Sequence, residues 1–289
     1  MFRKLALGLF LLACLAFAGL WVAGSVLIHP AREIVGAPPS EFPASTVVFK
    51  SSSDALIHGW FLRGNGRGAI LLLHGVRANR LAMLNRARFL HASGYSVLLI
   101  DFQASGESTG DAITFGHLES RDAAAAVDQL KKLAPGEKIG VLGTSMGGAA
   151  TLLADPPLKV DAIILEQVYP TLSQAIEDRL QIHMGIFGSW FGPLLMSTVK
   201  PHLGFSLDEM RPIDKIGKIH APKLLIVGDA DRDTKIGESL AMFDAASAPK
   251  ELWIVHGARH VDFYRYSGNT YQIRVLGFFD KWLRGSSLH

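Results

Sequence analysis

The sequence predicts an α/β fold with a mostly parallel sheet, on two observations. From residue 44 onward, apolar runs of strand length alternate with segments of helical pattern, and some runs, such as Ile70-Leu71-Leu72-Leu73, are apolar at every position. A strand that is apolar throughout is buried on both faces, and in a chain of alternating strands and helices that implies a parallel sheet covered on both sides. Strands are expected at 46–50 and 55–62, joined through the polar turn 51–54 as an antiparallel pair. Strand 69–73 follows, then a helix over about 79–91 and a strand at 96–101. A helix over about 117–133 leads to strand 139–143, whose Gly-rich end opens directly into helix 146–154. Beyond strand 162–166 lies a long irregular apolar region, then strand 223–228, helix 236–246, strand 251–255 and a closing helix near 272–283.

Of the 289 residues, 49% are apolar and 19% charged, more apolar than an ordinary soluble domain. The excess is local: 22 of the first 28 residues are apolar, and 5–28 carries no charge. The other 261 residues are about 46% apolar, an ordinary globular value. A helix over 5–28 would be about 36 Å long against a hydrocarbon core of about 30 Å, so residues 1–28 are expected to form a single-pass transmembrane anchor. Arg3 and Lys4 place its N-terminus in the cytoplasm and the domain outside. Two alternatives are a signal peptide cleaved after Ala16-Phe17-Ala18, which gives a secreted protein, and lipid attachment at Cys14. Residues 29–43, with Pro30, Pro38, Pro39 and Pro43, read as a linker, and 44–284 as one domain. Cys14 is the only cysteine, so the domain has no disulfide, and it is large enough to do without one. With 29 Lys and Arg against 26 Asp and Glu, charge gives no case for a nucleic-acid partner.

Ligands of an open parallel sheet bind at the carboxyl ends of its strands. There stands Gly143-Thr144-Ser145-Met146-Gly147-Gly148, between strand and helix. A serine on such a turn takes a strained backbone conformation, and small residues two before and two after it let the chain bend that tightly. The turn lifts the Ser145 hydroxyl above the sheet, and the helix start supplies free amides and a positive dipole end that favour a developing oxyanion. A second element, His74-Gly75-Val76, ends strand 69–73; His74 itself reads as structural.

With these motifs the chain resembles the α/β-hydrolase superfamily, more narrowly its serine hydrolases of the S33-peptidase-like and esterase-like branch, over roughly 44–283. The His-Gly pair, Asp101-Phe102-Gln103-Ala104-Ser105-Gly106-Glu107-Ser108, the turn at Ser145 and the two segments below carry the resemblance. It implies an α/β-hydrolase fold, a mostly parallel eight-stranded sheet with helices on both faces and a small cap inserted after the sixth strand, at 171–222. It implies an oxyanion hole of the Val76 and Met146 backbone amides, and the order nucleophile, acid, base. Gln103-Ala104 stands where the family usually has Arg-Gly, a departure in a structural loop.

For the acid, Gly228-Asp229-Ala230-Asp231-Arg232-Asp233 offers three carboxylates. The family pattern, three residues past the glycine, selects Asp231; Glu166 is the alternative. An EF-hand reading fails, because Thr234 and Leu240 stand where Gly and Glu are required. For the base, His256 would close the last strand, whereas His260 lies farther into the loop at the family position. The expected chemistry is acyl transfer on Ser145 with His260 as base and Asp231 fixing its tautomer, without metal or organic cofactor. Phe187, Trp190 and Phe191 are expected to bind a hydrophobic acyl or alcohol group of a small-molecule substrate; the other readings of 171–222 are a helix pair on the sheet edge and, given the anchor, contact with the nearby bilayer. The function expected is hydrolysis of esters or thioesters. A serine aminopeptidase-like peptidase and a catalytically silent binding module are the alternatives.

Overall fold

Alternation along each strand decides which side chains meet which helices. The computed structural model describes residues 2–284, less the side chains of 2, 5, 9, 12, 13 and 189. Its main sheet has eight strands: β1 (Ser45–Lys50), β2 (Leu56–Leu62), β3 (Ala69–Leu73), β4 (Ser96–Ile100), β5 (Ile139–Thr144), β6 (Ala162–Glu166), β7 (Lys223–Gly228) and β8 (Lys250–Val255). Their order is β8-β7-β6-β5-β3-β4-β2-β1, with β2 antiparallel to both neighbours and the other pairs parallel.

In β3, Ile70 and Leu72 point to one face, where they pack with Leu90 of helix α2 (Leu84–Ala92) and Phe279 of the C-terminal helix. Leu71 and Leu73 point to the other, against Ala126 and Leu130 of α3 (Glu119–Leu133). Period-two alternation in a strand buried on both faces therefore builds two cores from one apolar run. Helix α4 (Met146–Leu153) starts at the end of β5. Beyond β6 come α5 (Leu172–Met184), α6 (Gly188–Ser197), α7 (Val199–Leu203) and α8 (Pro212–Ile216); α9 (Ile236–Ala245) joins β7 to β8, and α10 (Phe263–Ser267) and α11 (Asn269–Leu283) close the chain. Helices α5 to α7 form the cap, whereas α8 returns to the core, with Ile216 fully buried.

The N-terminal expectation is corrected. Residues 2–28 form a helix, α1 (Phe2–Ile28), but among the described residues no helix is long and apolar enough to cross a membrane. The single-pass anchor and the extracytoplasmic placement built on it are not upheld. The last turns of α1 are committed to protein: the Trp21 ring lies 4.0 Å from that of His202 on α7, and the Ser25 hydroxyl is 3.0 Å from His202 Nε2. Nor does the chain leave the domain immediately afterwards. Ala31 and Arg32 pair in parallel with Ser105 and Gly106, and the Glu33 amide donates to the Gly106 carbonyl at 2.9 Å.

Two features of the loops bear on stability. Loop 101–108 is built around buried Asp101, which accepts from the Arg80 guanidinium and from the amides of Arg80 (2.7 Å) and Glu107 (2.9 Å). Within it Ala104 is held at φ 56°, a left-handed conformation that costs an L-residue about 1–2 kcal/mol. At the cap, Lys235 Nζ binds Asp178 Oδ1 of α5 at 2.5 Å, and the Asp178 carboxyl lies close enough to that of Glu238 to act on its ionisation. Burial, followed by that second carboxylate, pushes the Glu238 carboxyl up to about 7.

Ala104→Gly is expected to leave stability within about 1 kcal/mol of wild type, the relieved strain being offset by the freer unfolded chain and by the loss of a fully buried methyl; urea unfolding measures it. Because folding favours protonated Glu238, its contribution is fully present below the ordinary pKa of 4.5 and is lost as pH rises through about 7. Thermal melts between these limits should show wild-type stability falling with pH more steeply than that of Glu238→Gln.

Candidate active site

The turn between β5 and α4 is dictated by contact distances. Ser145 sits at φ 49°, ψ −113°, a strained conformation for a residue with a side chain. A Cβ on Gly143 would lie 2.6 Å from the Gly147 carbonyl carbon, and one on Gly147 would lie 2.4 Å from the Leu73 carbonyl oxygen. Neither distance is possible for a real Cβ, so helix and strand end can meet this closely only through glycine. The Ser145 amide donates to the Glu166 carbonyl at 2.7 Å, which leaves the hydroxyl facing away from the sheet.

The end of β3 meets this turn. A Cβ on Gly75 would stand 3.7 Å from Ser145 Cβ, so the His74-Gly75-Val76 loop lies beside the serine. His74 is fully buried; its Nδ1–H donates to the Gly75 carbonyl at 2.7 Å, and Nε2 accepts from the Phe102 amide at 3.0 Å. Burial lowers its pKa, and its neutral ring fastens the loop. Among the described residues the Val76 amide donates to no acceptor, and the Met146 amide, at the first position of α4, has no carbonyl of its own helix to reach.

His260 and Asp231 come together at the same end of the sheet. His260 Nδ1 lies 2.8 Å from Asp231 Oδ2, while Asp231 Oδ1 accepts from the amides of Asp233 (2.8 Å) and Thr234 (3.0 Å). A carboxylate so engaged can only accept, which fixes the proton on His260 Nδ1 and leaves Nε2 as an acceptor. Among the described residues neither Nε2 nor the Ser145 hydroxyl has a hydrogen-bond partner, and both residues border one cavity of about 280 Å³.

The competing residues are engaged elsewhere. Glu166 is fully buried and accepts from Arg86 (2.9 Å), Thr144 (2.8 Å) and the Tyr271 hydroxyl, away from His260. Asp229 pairs with His256 Nδ1 at 2.9 Å, and that imidazole is 87% exposed. Asp233 accepts from Arg179 Nε of α5 at 2.5 Å. Asp231, Asp233 and His260 bring possible metal ligands within 4.8 Å of one another, but each has one of these protein partners.

Phe187, Trp190 and Phe191 do not border the cavity, and their side chains are exposed. Helix α6 packs on α5 through glycine: a Cβ on Gly188 would lie 2.7 Å from the Leu180 backbone, and one on Gly192 3.5 Å from Leu180 Cδ1. The close face is the small one, so the aromatic side is turned outward. The apolar wall is instead supplied mainly by α5, through Leu172, Ala175, Ile176 and Leu180, a helical i, i+3, i+4 spacing visible in the sequence. Two further residues escaped sequence reasoning. Leu27 of α1 borders the cavity, and Gln167 Nε2 donates to the Val261 carbonyl at 2.9 Å, bracing the chain next to His260.

Residues 64–197 match the family described as serine aminopeptidase, S33. The chain is 29% identical over 239 residues to human monoglyceride lipase, covering 70% of this chain and 78% of that one. It is 27% identical over 219 residues to the uncharacterized protein YqkD of Bacillus subtilis, covering 73% and 70%. Among solved structures, Pyrococcus furiosus esterase Pf2001 superposes with a TM-score of 0.75 at 23% identity, over 89% of this chain and 98% of the other. The sheet order, the turn at Ser145 and the superposition on this structure show that the chain has the α/β-hydrolase fold.

Proposed function

We propose that the protein is a serine hydrolase that cleaves carboxylic esters or thioesters of hydrophobic acyl groups. The observation that carries this reading is Ser145, held at φ 49° on the wall of a cavity that it shares with the free Nε2 of an Asp231-bound His260. His260 takes the hydroxyl proton as Ser145 Oγ attacks the acyl carbon, and the amides of Val76 and Met146 hold the oxyanion. His260 then returns the proton to the departing alcohol or thiol, and water releases the acid from Ser145 by the same route.

The cavity argues for an acyl group over a peptide N-terminus. An aminopeptidase must hold its substrate's ammonium, and the one carboxylate among the described lining residues, Asp233, is already paired with Arg179. The remaining wall is largely aliphatic and aromatic, and burying an unpaired cation there would be costly. The name of the Pyrococcus furiosus neighbour, an esterase, and that of the human relative, a lipase, agree with this preference.

Assays with p-nitrophenyl esters beside aminoacyl-nitroanilides test the reading; turnover of the anilides alone overturns it in favour of the peptidase. Ser145→Ala should reduce ester turnover about 10⁶-fold and abolish labelling by a fluorophosphonate. Asp231→Asn should reduce kcat about 10⁴-fold while leaving that labelling site in place. Turnover in Ser145→Ala within tenfold of wild type would rule out this nucleophile.

A further inference from the structure

One part of the cavity wall comes from outside the α/β domain. Leu27, in the last turn of α1, borders the cavity together with Leu195 of α6 and Phe115. This turn is fixed from three directions. Toward the cap, Gly24 fits so closely that a Cβ would lie 3.0 Å from Thr198 Oγ1 and 3.1 Å from His202 Cε1. Toward the domain, the Ile28 carbonyl accepts from the Ile113 amide at 2.8 Å. Toward the loop that carries Val76, the Arg77 guanidinium donates to the Val26 carbonyl at 3.3 Å. Leu27 is thus held rigidly yet is still 47% exposed, so a chain filling the cavity would cover it.

We propose that the last turn of α1 belongs to the acyl-binding site and that Leu27 sets the length of acyl chain the cavity accepts. The inference rests on reading the cavity as an acyl site. Its volume of about 280 Å³ corresponds to roughly nine groups the size of a water molecule. Each methylene buried inside multiplies affinity roughly fourfold. Methylenes beyond the rim at Leu27 face water and add nothing.

The test is isothermal titration of the full chain with saturated fatty acids from butyrate to laurate, the acid products of the proposed reaction. For the wild type, affinity rises roughly fourfold per methylene and levels off near nine or ten carbons. Leu27→Trp brings the plateau about two carbons earlier and Leu27→Ala moves it later, while butyrate affinity stays within about twofold in all three proteins. A plateau at the same length in both variants overturns the proposal. So does a uniform loss at every length, or a wild-type affinity that does not depend on chain length. Binding requires no turnover, which separates the two readings. An intact, Leu27-dependent plateau in a protein that hydrolyses no ester would remove the reaction and keep the wall. Ester hydrolysis with an unmoved plateau would do the reverse.

Discussion

The open end of the sheet depends on how closely helix α4 approaches the ends of β3 and β5. Without glycine at 143 and 147 the helix would stand off from Leu73 and from its own strand by the width of a methyl group. The left-handed backbone of Ser145 would then lose the contacts that impose it. The same approach sets the His74 loop against the serine. Buried His74, donating through one nitrogen and accepting through the other, converts a flexible loop end into a fixed one. The local cost of strain is met by packing elsewhere, chiefly the two cores on either side of β3.

Residues of one type are separated in role by their surroundings. Three aspartates within five positions serve three partners: Asp229 binds exposed His256, Asp231 binds His260, and Asp233 binds Arg179 on the cap. Only Asp231 combines burial with two backbone amides on the oxygen that the imidazole does not use. The loop that carries Asp231 is also tied to the cap twice, through Arg179 with Asp233 and Asp178 with Lys235. The cap and the loop that carries Asp231 therefore cannot move independently without breaking charge pairs that are partly shielded from water.

Much of the architecture was legible in the sequence because it follows from local patterns. Continuous apolar runs gave the buried strands, and the glycine spacing around Ser145 gave the sharp turn. What the sequence did not disclose depends on contacts between distant segments. The apolar stretch 5–28 has the composition of a membrane segment; that Trp21, Gly24 and Ser25 pack against Thr198 and His202 is a tertiary fact with no local signature. The aromatic cluster at Phe187, Trp190 and Phe191 drew attention by size, yet Gly188 and Gly192 determine the face that α6 presents to α5. The lining residues of α5 were recoverable from helical spacing, but the mixed polarity of that helix, with Arg179 and His183 among them, hides the stripe.

The pairing of Asp229 with His256 has a practical consequence for chemical probing. It repeats the geometry of the pair whose aspartate stands two residues and whose histidine four residues downstream, but on the outer surface, with its imidazole 87% exposed against 20% for His260. Reagents that acylate imidazoles will reach His256 before His260, so the fast phase of histidine modification reports this outer pair together with other exposed histidines such as His183 and His220. A slower phase that is shielded by an occupant of the cavity is the one that belongs to His260.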